Sequence, residues 1–202
     1  TGSSIEELKW DGASGEALVN ATAITSLTTV TFSGDAVKTP IIRGLETISN
    51  DITINATYSS SSPDTYAITA ATATTVNLKA DATSISSQQQ ADNDFTLTSN
   101  NGAAISVNVE EYVSSAGTLR LEKASSFDVT VDSTSDFGNQ VKLSAASTVN
   151  VSGAGAISAT ISGEKVTTVN VDVASGSFNF GGSAIQTLTL SSDDGLTLMG
   201  SS

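Results

Sequence analysis

Apolar and polar residues alternate in short segments along most of this chain. The clearest pair is Thr148 to Val151 and Thr168 to Val171, which both have the sequence Thr-Val-Asn-Val and lie 20 residues apart. Between them lies a second alternating segment, Ile157 to Ile161. A period of two places alternate side chains on opposite faces of a strand, so each segment predicts a short strand with one buried face. We therefore expect the four valines to be buried and the two asparagines to lie on the other face.

Segments of the form apolar–polar–apolar recur along the whole chain. Their central residues are Thr31, Thr53, Asn77, Thr96, Asn108, Arg120, Thr130, Lys142, Asn150, Thr160, Asn170, Asn179, Thr189 and Thr197. From residue 96 onward they follow one another every 8 to 12 residues, whereas the earlier spacing is nearer 20. We therefore predict a less regular β region over residues 1–90 and a regular one over residues 91–202. The polar residues 87–94 between them are predicted to form a loop or junction.

Two all-β folds produce a short strand about every ten residues. In a β-solenoid, two strands form each coil of about 20 residues, and the coils stack in parallel. In a β-sandwich, hairpins connect antiparallel strands. The 20-residue recurrence of Thr-Val-Asn-Val and the scarcity of Asn-Gly and Asp-Gly turns favour a solenoid-like stack of short strands. The β-sandwich is the alternative.

A solenoid also predicts columns of equivalent residues from successive coils. Taken in order, the segments predict one outward column of Asn108, Thr130, Asn150, Asn170 and Thr189, and another of Thr96, Arg120, Lys142, Thr160, Asn179 and Thr197. Asn and Thr side chains can hydrogen-bond along such a column. Arg120 beside Lys142 would place two like charges together, which is modestly unfavourable.

Composition and charge narrow the classes of partner. Hydrophobic residues make up 38% of the chain but aromatic residues only 5%, so aliphatic side chains must fill the core. The net charge is −13, from 8 basic and 21 acidic residues. Such a surface repels a phosphate backbone, so nucleic acid is not an expected partner. A transmembrane helix is not expected either, because no apolar run approaches the ~18 residues that it needs.

Enzymatic chemistry is not expected from this composition. The chain has no Cys and no His, which removes disulfides, thiol nucleophiles and the imidazole base that commonly activates a serine. Paired carboxylates, such as Asp128 with Asp132 or Asp193 with Asp194, are the remaining catalytic option. The aromatic platforms and basic residues of a polysaccharide-cleaving site are scarce, so we predict that the protein is not an enzyme.

Three acidic segments are candidates for binding calcium, which prefers carboxylate and carbonyl oxygens. They are residues 92–94, 132–136 and 193–195, and the candidate metal ligands are Asp92, Asp94, Asp193 and Asp194. None of the three segments matches an EF-hand loop or the Gly-Gly-x-Gly-x-Asp repeat of calcium-binding β-rolls. Ordinary solvent-exposed turns are the alternative interpretation.

Four segments carry a resemblance to a known protein family. They are Leu45 to Ile48, Thr74 to Leu78, Ser147 to Val151 and Thr167 to Val173, in a Cys-free, acidic chain rich in Ser and Thr. In these segments and in this composition the chain resembles the surface-layer (S-layer) proteins of Gram-negative bacteria. The resemblance implies secretion to the cell surface, self-assembly into a two-dimensional array, and attachment to lipopolysaccharide or another surface glycan, often with calcium. The alternative is a secreted adhesin or binding module with a repetitive β stalk.

Overall fold

The chain folds into a β-solenoid. The structure, a computed structural model, describes residues 4–11, 17–20, 23–33, 40–43, 52–58, 64–72, 75–80, 89–99, 102–181 and 184–201. These residues form strands and connecting turns without helix, in successive coils of roughly 22 residues. Every described strand pair is parallel, which confirms the solenoid and rules out the antiparallel hairpins of a β-sandwich. Within the described ranges, no helix has the length and apolar content of a membrane span.

Eighteen strands are described. The strands before residue 100 are β1 (Glu7–Asp11), β2 (Ala17–Asn20), β3 (Thr29–Ser33), β4 (Pro40–Arg43), β5 (Thr53–Tyr58), β6 (Asp64–Thr72), β7 (Thr75–Ala80) and β8 (Gln89–Thr98). Those that follow are β9 (Ile105–Glu110), β10 (Val113–Ala116), β11 (Thr118–Glu122), β12 (Ser126–Val131), β13 (Asp136–Phe137), β14 (Gln140–Leu143), β15 (Thr148–Ser162), β16 (Thr168–Gly181), β17 (Thr187–Ser192) and β18 (Leu196–Ser201).

The strands pair in two lines that run along the solenoid. The first line is β1, β3, β5, β7, β9, β12, the first parts of β15 and β16, and then β17. The second line contains β6, β8, β10 with β11, β13 with β14, the later parts of β15 and β16, and β18. The long strands β15 and β16 belong to both lines because each turns a corner without leaving its ladder. Strands β2 and β4 form a separate parallel pair.

The core is built from columns of aliphatic side chains. One column holds Leu8, Val30, Ile54, Val76, Val107, Val129, Val151, Val171 and Leu190, one residue from each coil. The predicted buried residues Val149, Val151, Val169 and Val171 are at most 2% exposed, which confirms the assignment of the inward face. Neighbouring strands are about 4.8 Å apart, which leaves no gap between successive side chains of a column. Each coil therefore buries the apolar face of the next.

The first predicted outward column is only partly correct. Asn108 pairs with Thr130 as expected, but Thr130 pairs with Ser152 and not with Asn150. Asn150 lies two residues away, between Asp128 and Asn170. A shift of two residues keeps every side chain on its own face, so alternation alone cannot detect it.

The second predicted column shows the same behaviour. Arg120 pairs with both Thr96 and Lys142, as expected. Lys142 then pairs with Ser162 instead of Thr160. The two cations therefore do lie in adjacent coils. Thr160 also pairs with Asn179 as predicted, but Asn179 then pairs with Met199 and not with Thr197.

The polar segment 87–94 was expected to be a loop, and that expectation is wrong for residues 89–94. These residues belong to β8, which pairs with β6 on one side and with β10 on the other. Residues 89–92 pair with β10 and residues 91–94 pair with β6, so backbone pairing defines this part of the strand. Residues 87 and 88 lie outside the described residues. The division of the chain at residue 90 stays a prediction; strands β7 and β9 pair directly across it.

Glycines occupy the corner where β15 and β16 bend. Gly153 lies within β15 at a bulge, with a φ of 123°. A Cβ there would lie 2.0 Å from the carbonyl oxygen of Val131 in the preceding coil, and one on Gly176 would lie 1.9 Å from that of Ile157. Only glycine allows the coils to approach this closely at the corner.

Replacing Val169 by Asp tests the buried column. Val169 is fully buried, so an unpaired carboxylate there should lower the free energy of unfolding by about 3 to 5 kcal/mol. We expect hydrogen exchange to accelerate in β15, β16 and β17. Thr160→Asp adds the same charge at an exposed position of β15 and should leave exchange nearly unchanged. Equal melting temperatures for the two variants would contradict the assignment of the inward face.

Candidate functional site

The four predicted metal ligands lie in two separate parts of the fold. Asp92 and Asp94 are in β8, where their backbones pair with Thr65 and Ala67 of β6. Asp193 and Asp194 form the exposed bend between β17 and β18. Among the residues that the structure describes, no three acidic side chains come together in a group that could hold a metal. Calcium binding at these four residues stays a prediction.

Asp132, in the acidic segment 132–136, joins two coils at a corner of the solenoid. Its Oδ2 accepts a hydrogen bond of 2.6 Å from the N–H of Glu111, and its Oδ1 accepts bonds of 2.9 and 2.8 Å from the N–H and hydroxyl of Thr134. Partial burial raises the pKa of Asp132, but these bonds and one from the Ser135 side chain outweigh it, so the pKa lies below its ordinary value. The carboxylate is therefore a structural acceptor that joins two coils.

The backbone on the other side of this corner has an uncommon conformation. Glu111 and Tyr112 have positive φ angles of 53° and 67°. Their N–H groups and that of Val113 point at the next coil, where Thr134 Oγ1 accepts from Tyr112 at 3.1 Å and Ser135 Oγ from Val113 at 3.2 Å. Side-chain oxygens of the next coil therefore satisfy three successive N–H groups of this turn, and the Asp132 carboxylate satisfies the first of them.

A basic residue extends this corner to a third coil. Lys79 Nζ forms an ion pair with Glu111 Oε1, and this hydrogen bond raises the pKa of Lys79 despite the opposing effect of desolvation. The chain of contacts thus runs from Lys79 through Glu111 to Asp132. Residues 132–136 are a candidate cation-binding segment on their sequence, and this structural role of Asp132 was not predicted.

Half-buried asparagines and an aspartate link the coils along the outer face of the first line of strands. Asn77 Nδ2 donates to Asn55 Oδ1 and Asn108 Nδ2 donates to Asn77 Oδ1, both at 2.8 Å. Two residues along the strands, Asn150 donates to Asp128 at 2.6 Å and Asn170 donates to Asn150 at 2.8 Å. The amides satisfy one another from coil to coil, so this face is flat and carries small polar groups.

Strands β17 and β18 form the last described coil, which we call the open end because no described strand covers it. Leu188 and Leu190 are each 43% exposed, although they stack on Val169 and Val171, which are 0% and 2% exposed. Leu198 of β18 is 37% exposed above a fully buried Phe178. In the described part of the chain, β17 and β18 each pair with β16 alone. The other edge of each strand therefore presents unpaired backbone groups beside apolar side chains.

The opposite end of the stack is the complement of this edge. Strand β1 pairs with β3 alone among the described strands, and its Leu8 occupies the same inward column as Leu190. Both strands run in the same direction and have the same alternation. An edge like β1 could therefore continue the ladder of β17 in register, with Leu8 covering Leu190.

Asp132→Asn tests the corner. Because the folded-state pKa of Asp132 is lowered, the stability that its carboxylate contributes is present above the unfolded-state pKa of about 3.9 and is lost as pH falls through the folded-state value. We expect the difference in free energy of unfolding between wild type and D132N to shrink as pH is lowered from about 7 to about 2.5 in urea titrations. D193N, at the exposed bend, controls for the change in net charge. A difference that is constant with pH would contradict the assignment.

Known proteins do not indicate a function for this chain, so its function is inferred from its geometry. No family model matches the chain, and no curated protein or solved structure is similar enough to it to count as a match. The open end, with its unpaired strand edges and exposed leucines, is the feature of the described residues that most directly indicates an interaction.

Proposed function

We propose that the protein is a structural component of a cell surface, secreted and self-assembling into a two-dimensional S-layer array. The open end carries the proposal: Leu188 and Leu190 continue the columns of the buried Val169 and Val171, yet they are nearly half exposed. Exposed parallel edges with an apolar face pair readily with another strand of the same alternation. The complementary strand is β1 of a second copy.

Stacking of this kind joins two different surfaces, the β17 edge of one molecule and the β1 edge of another. A head-to-tail contact without rotational closure produces an open filament and not a closed oligomer. Each junction would continue the inward column through Leu190 and Leu8, so the apolar core would become continuous across copies. This contact supplies one direction of a lattice.

The second direction of a lattice needs a lateral face. The outer face of the first line of strands is suited to it, because its columns hold small polar side chains such as Asn77, Asn108, Thr148 and Thr168. Most of these side chains are uncharged, so a second copy could lie against them with few ionised groups, such as Asp128 and Asp172, to desolvate. Attachment to lipopolysaccharide or another surface glycan belongs to the same proposal.

Electrostatic repulsion opposes any such array. Copies of a chain with net charge −13 repel one another unless salt screens the charge or cations bridge it. The exposed pair Asp193 and Asp194 lies at the open end itself, where calcium could bridge neighbouring carboxylates. A monomeric protein under all these conditions would favour the alternative, an adhesin or binding module with a repetitive stalk.

The double substitution Leu188→Asp with Leu190→Asp tests self-association through the open end. We expect it to reduce the mass of assemblies of the 202-residue chain in light scattering and to remove ordered sheets from electron micrographs, because two charges would lie in the junction. Thr187→Asp with Thr189→Asp is the matched control, since it adds the same charge to the outward face of the same strand. Assembly that both variants retain equally, or that wild type lacks, would overturn the proposal.

Calcium dependence is a separate prediction. We expect calcium at about millimolar concentration to increase assembly more than magnesium, and both more than sodium chloride at matched ionic strength, because a bridging cation acts beyond screening. A chelator should reverse the effect, and the double variant D193N/D194N should weaken it. An effect of equal size in sodium chloride, or an unchanged response in the variant, would contradict bridging at this bend.

A further inference from the structure

A groove on the side of the solenoid concentrates positive charge in an acidic protein. It has a volume of about 540 Å³ and lies where β11, β14 and β15 end. The buried Leu121 and Leu143 line it. Its charged rim is formed by Arg120, Glu122, Lys142, Glu164 and Lys165. Three of the 8 basic residues of the chain therefore meet at one groove.

The pairing of the strands holds two of these cations side by side. Arg120 and Lys142 are register partners on the parallel strands β11 and β14, and both are exposed. Strand spacing places their Cα atoms about 5 Å apart, so the two charges share one patch of surface. Like charges at directly paired positions are unfavourable, and the arrangement contributes nothing to the buried core.

The cations of the groove have no carboxylate partner among the described residues. The ion pairs that the described residues form within 4.0 Å involve Lys9 with Glu7 and Lys79 with Glu111. In that part of the chain, no carboxylate lies within ion-pair distance of Arg120, Lys142 or Lys165, although Glu122 and Glu164 line the same groove. An anion from solution would relieve the repulsion between Arg120 and Lys142 without displacing any existing partner.

We propose that this groove binds an anionic saccharide, a sugar that carries a carboxylate or a phosphate. The guanidinium of Arg120 presents a planar fork that fits either group bidentately, and Lys142 adds a second charge. Glu122 and Glu164 can accept hydrogen bonds from sugar hydroxyls, and the hydroxyls of Ser144 and Ser162 line the same space. This mixture of cations, carboxylates and hydroxyls suits a polyhydroxylated anion better than an inorganic ion. The volume lies within the range of small-ligand sites.

This binding site deepens the glycan attachment that belongs to the proposed function and rests on that part of it, but it does not depend on self-assembly. The groove is formed by β11, β14 and the turn at residues 163–165, whereas self-association uses the edges of β17 and β1. A monomeric protein can therefore bind the sugar, and an assembling protein can fail to bind it. The two tests give separate answers.

Titration of the isotope-labelled chain with digalacturonate, with glucose 6-phosphate and with maltose tests the site by NMR. We expect the two anionic sugars to shift the amide signals of β11, β14 and residues 162–165, and maltose to leave them unchanged. R120Q/K142Q should weaken binding by about tenfold or more, whereas R120K/K142R, which keeps both charges, should retain measurable binding.

The control for net charge is K9Q/K79Q, which removes two cations that already have carboxylate partners. We expect its affinity to stay within about twofold of wild type, since screening weakens charges that lie beyond a Debye length of about 8 Å. Circular dichroism checks that each variant keeps its β structure. Equal losses in R120Q/K142Q and K9Q/K79Q, shifts with maltose equal to those with the acids, or no binding of either anionic sugar to wild type would overturn the proposal.

Discussion

In-register parallel pairing between coils is the constraint on which the rest of this structure depends. The N–H and C=O groups of each strand point along the solenoid axis, so their partners lie in the neighbouring coils. Once one residue is inward, register places its partner in the next coil inward as well. The column from Val30 through Val171 follows from this rule, and so does the requirement for glycine at Gly153 and Gly176, where a side chain would strike the carbonyl of the preceding coil.

Corners satisfy the same constraint by different means. Where the ladder is interrupted, polar side chains replace strand partners: Asp132 accepts from Glu111, and the fully buried Asn139 accepts a 2.7 Å bond from the Ser115 hydroxyl while donating to the carbonyl of Ala116. A buried amide or hydroxyl is tolerated only when it is bonded in this way. The corners are therefore as specific as the strands, although they bury little apolar surface.

The strands were predictable from the sequence because alternation reports directly on the inward face. The buried face of Val149, Val151, Val169 and Val171 follows from period two alone. The exact columns did not follow, because the step between coils changes from 22 residues at Asp128 and Asn150 to 20 at Asn150 and Asn170. A slip of two residues conserves every apolar position, so only the turns and corners fix it. Strand β8 was missed at its start because residues 89–94 have no alternation and are held by backbone pairs with β6 and β10.

Like-with-like stacking affects the side-chain classes differently. Valine on valine buries apolar surface, and asparagine on asparagine forms a hydrogen bond, so both gain from repetition. Stacking one cation on another is electrostatically unfavourable. Arg120 beside Lys142 is therefore an exception that the fold itself does not require. Leu188 and Leu190 continue the apolar columns of Val169 and Val171 into the last described coil. In a fold that repeats one rule along its length, a departure such as these paired cations is where a role other than stability is expected.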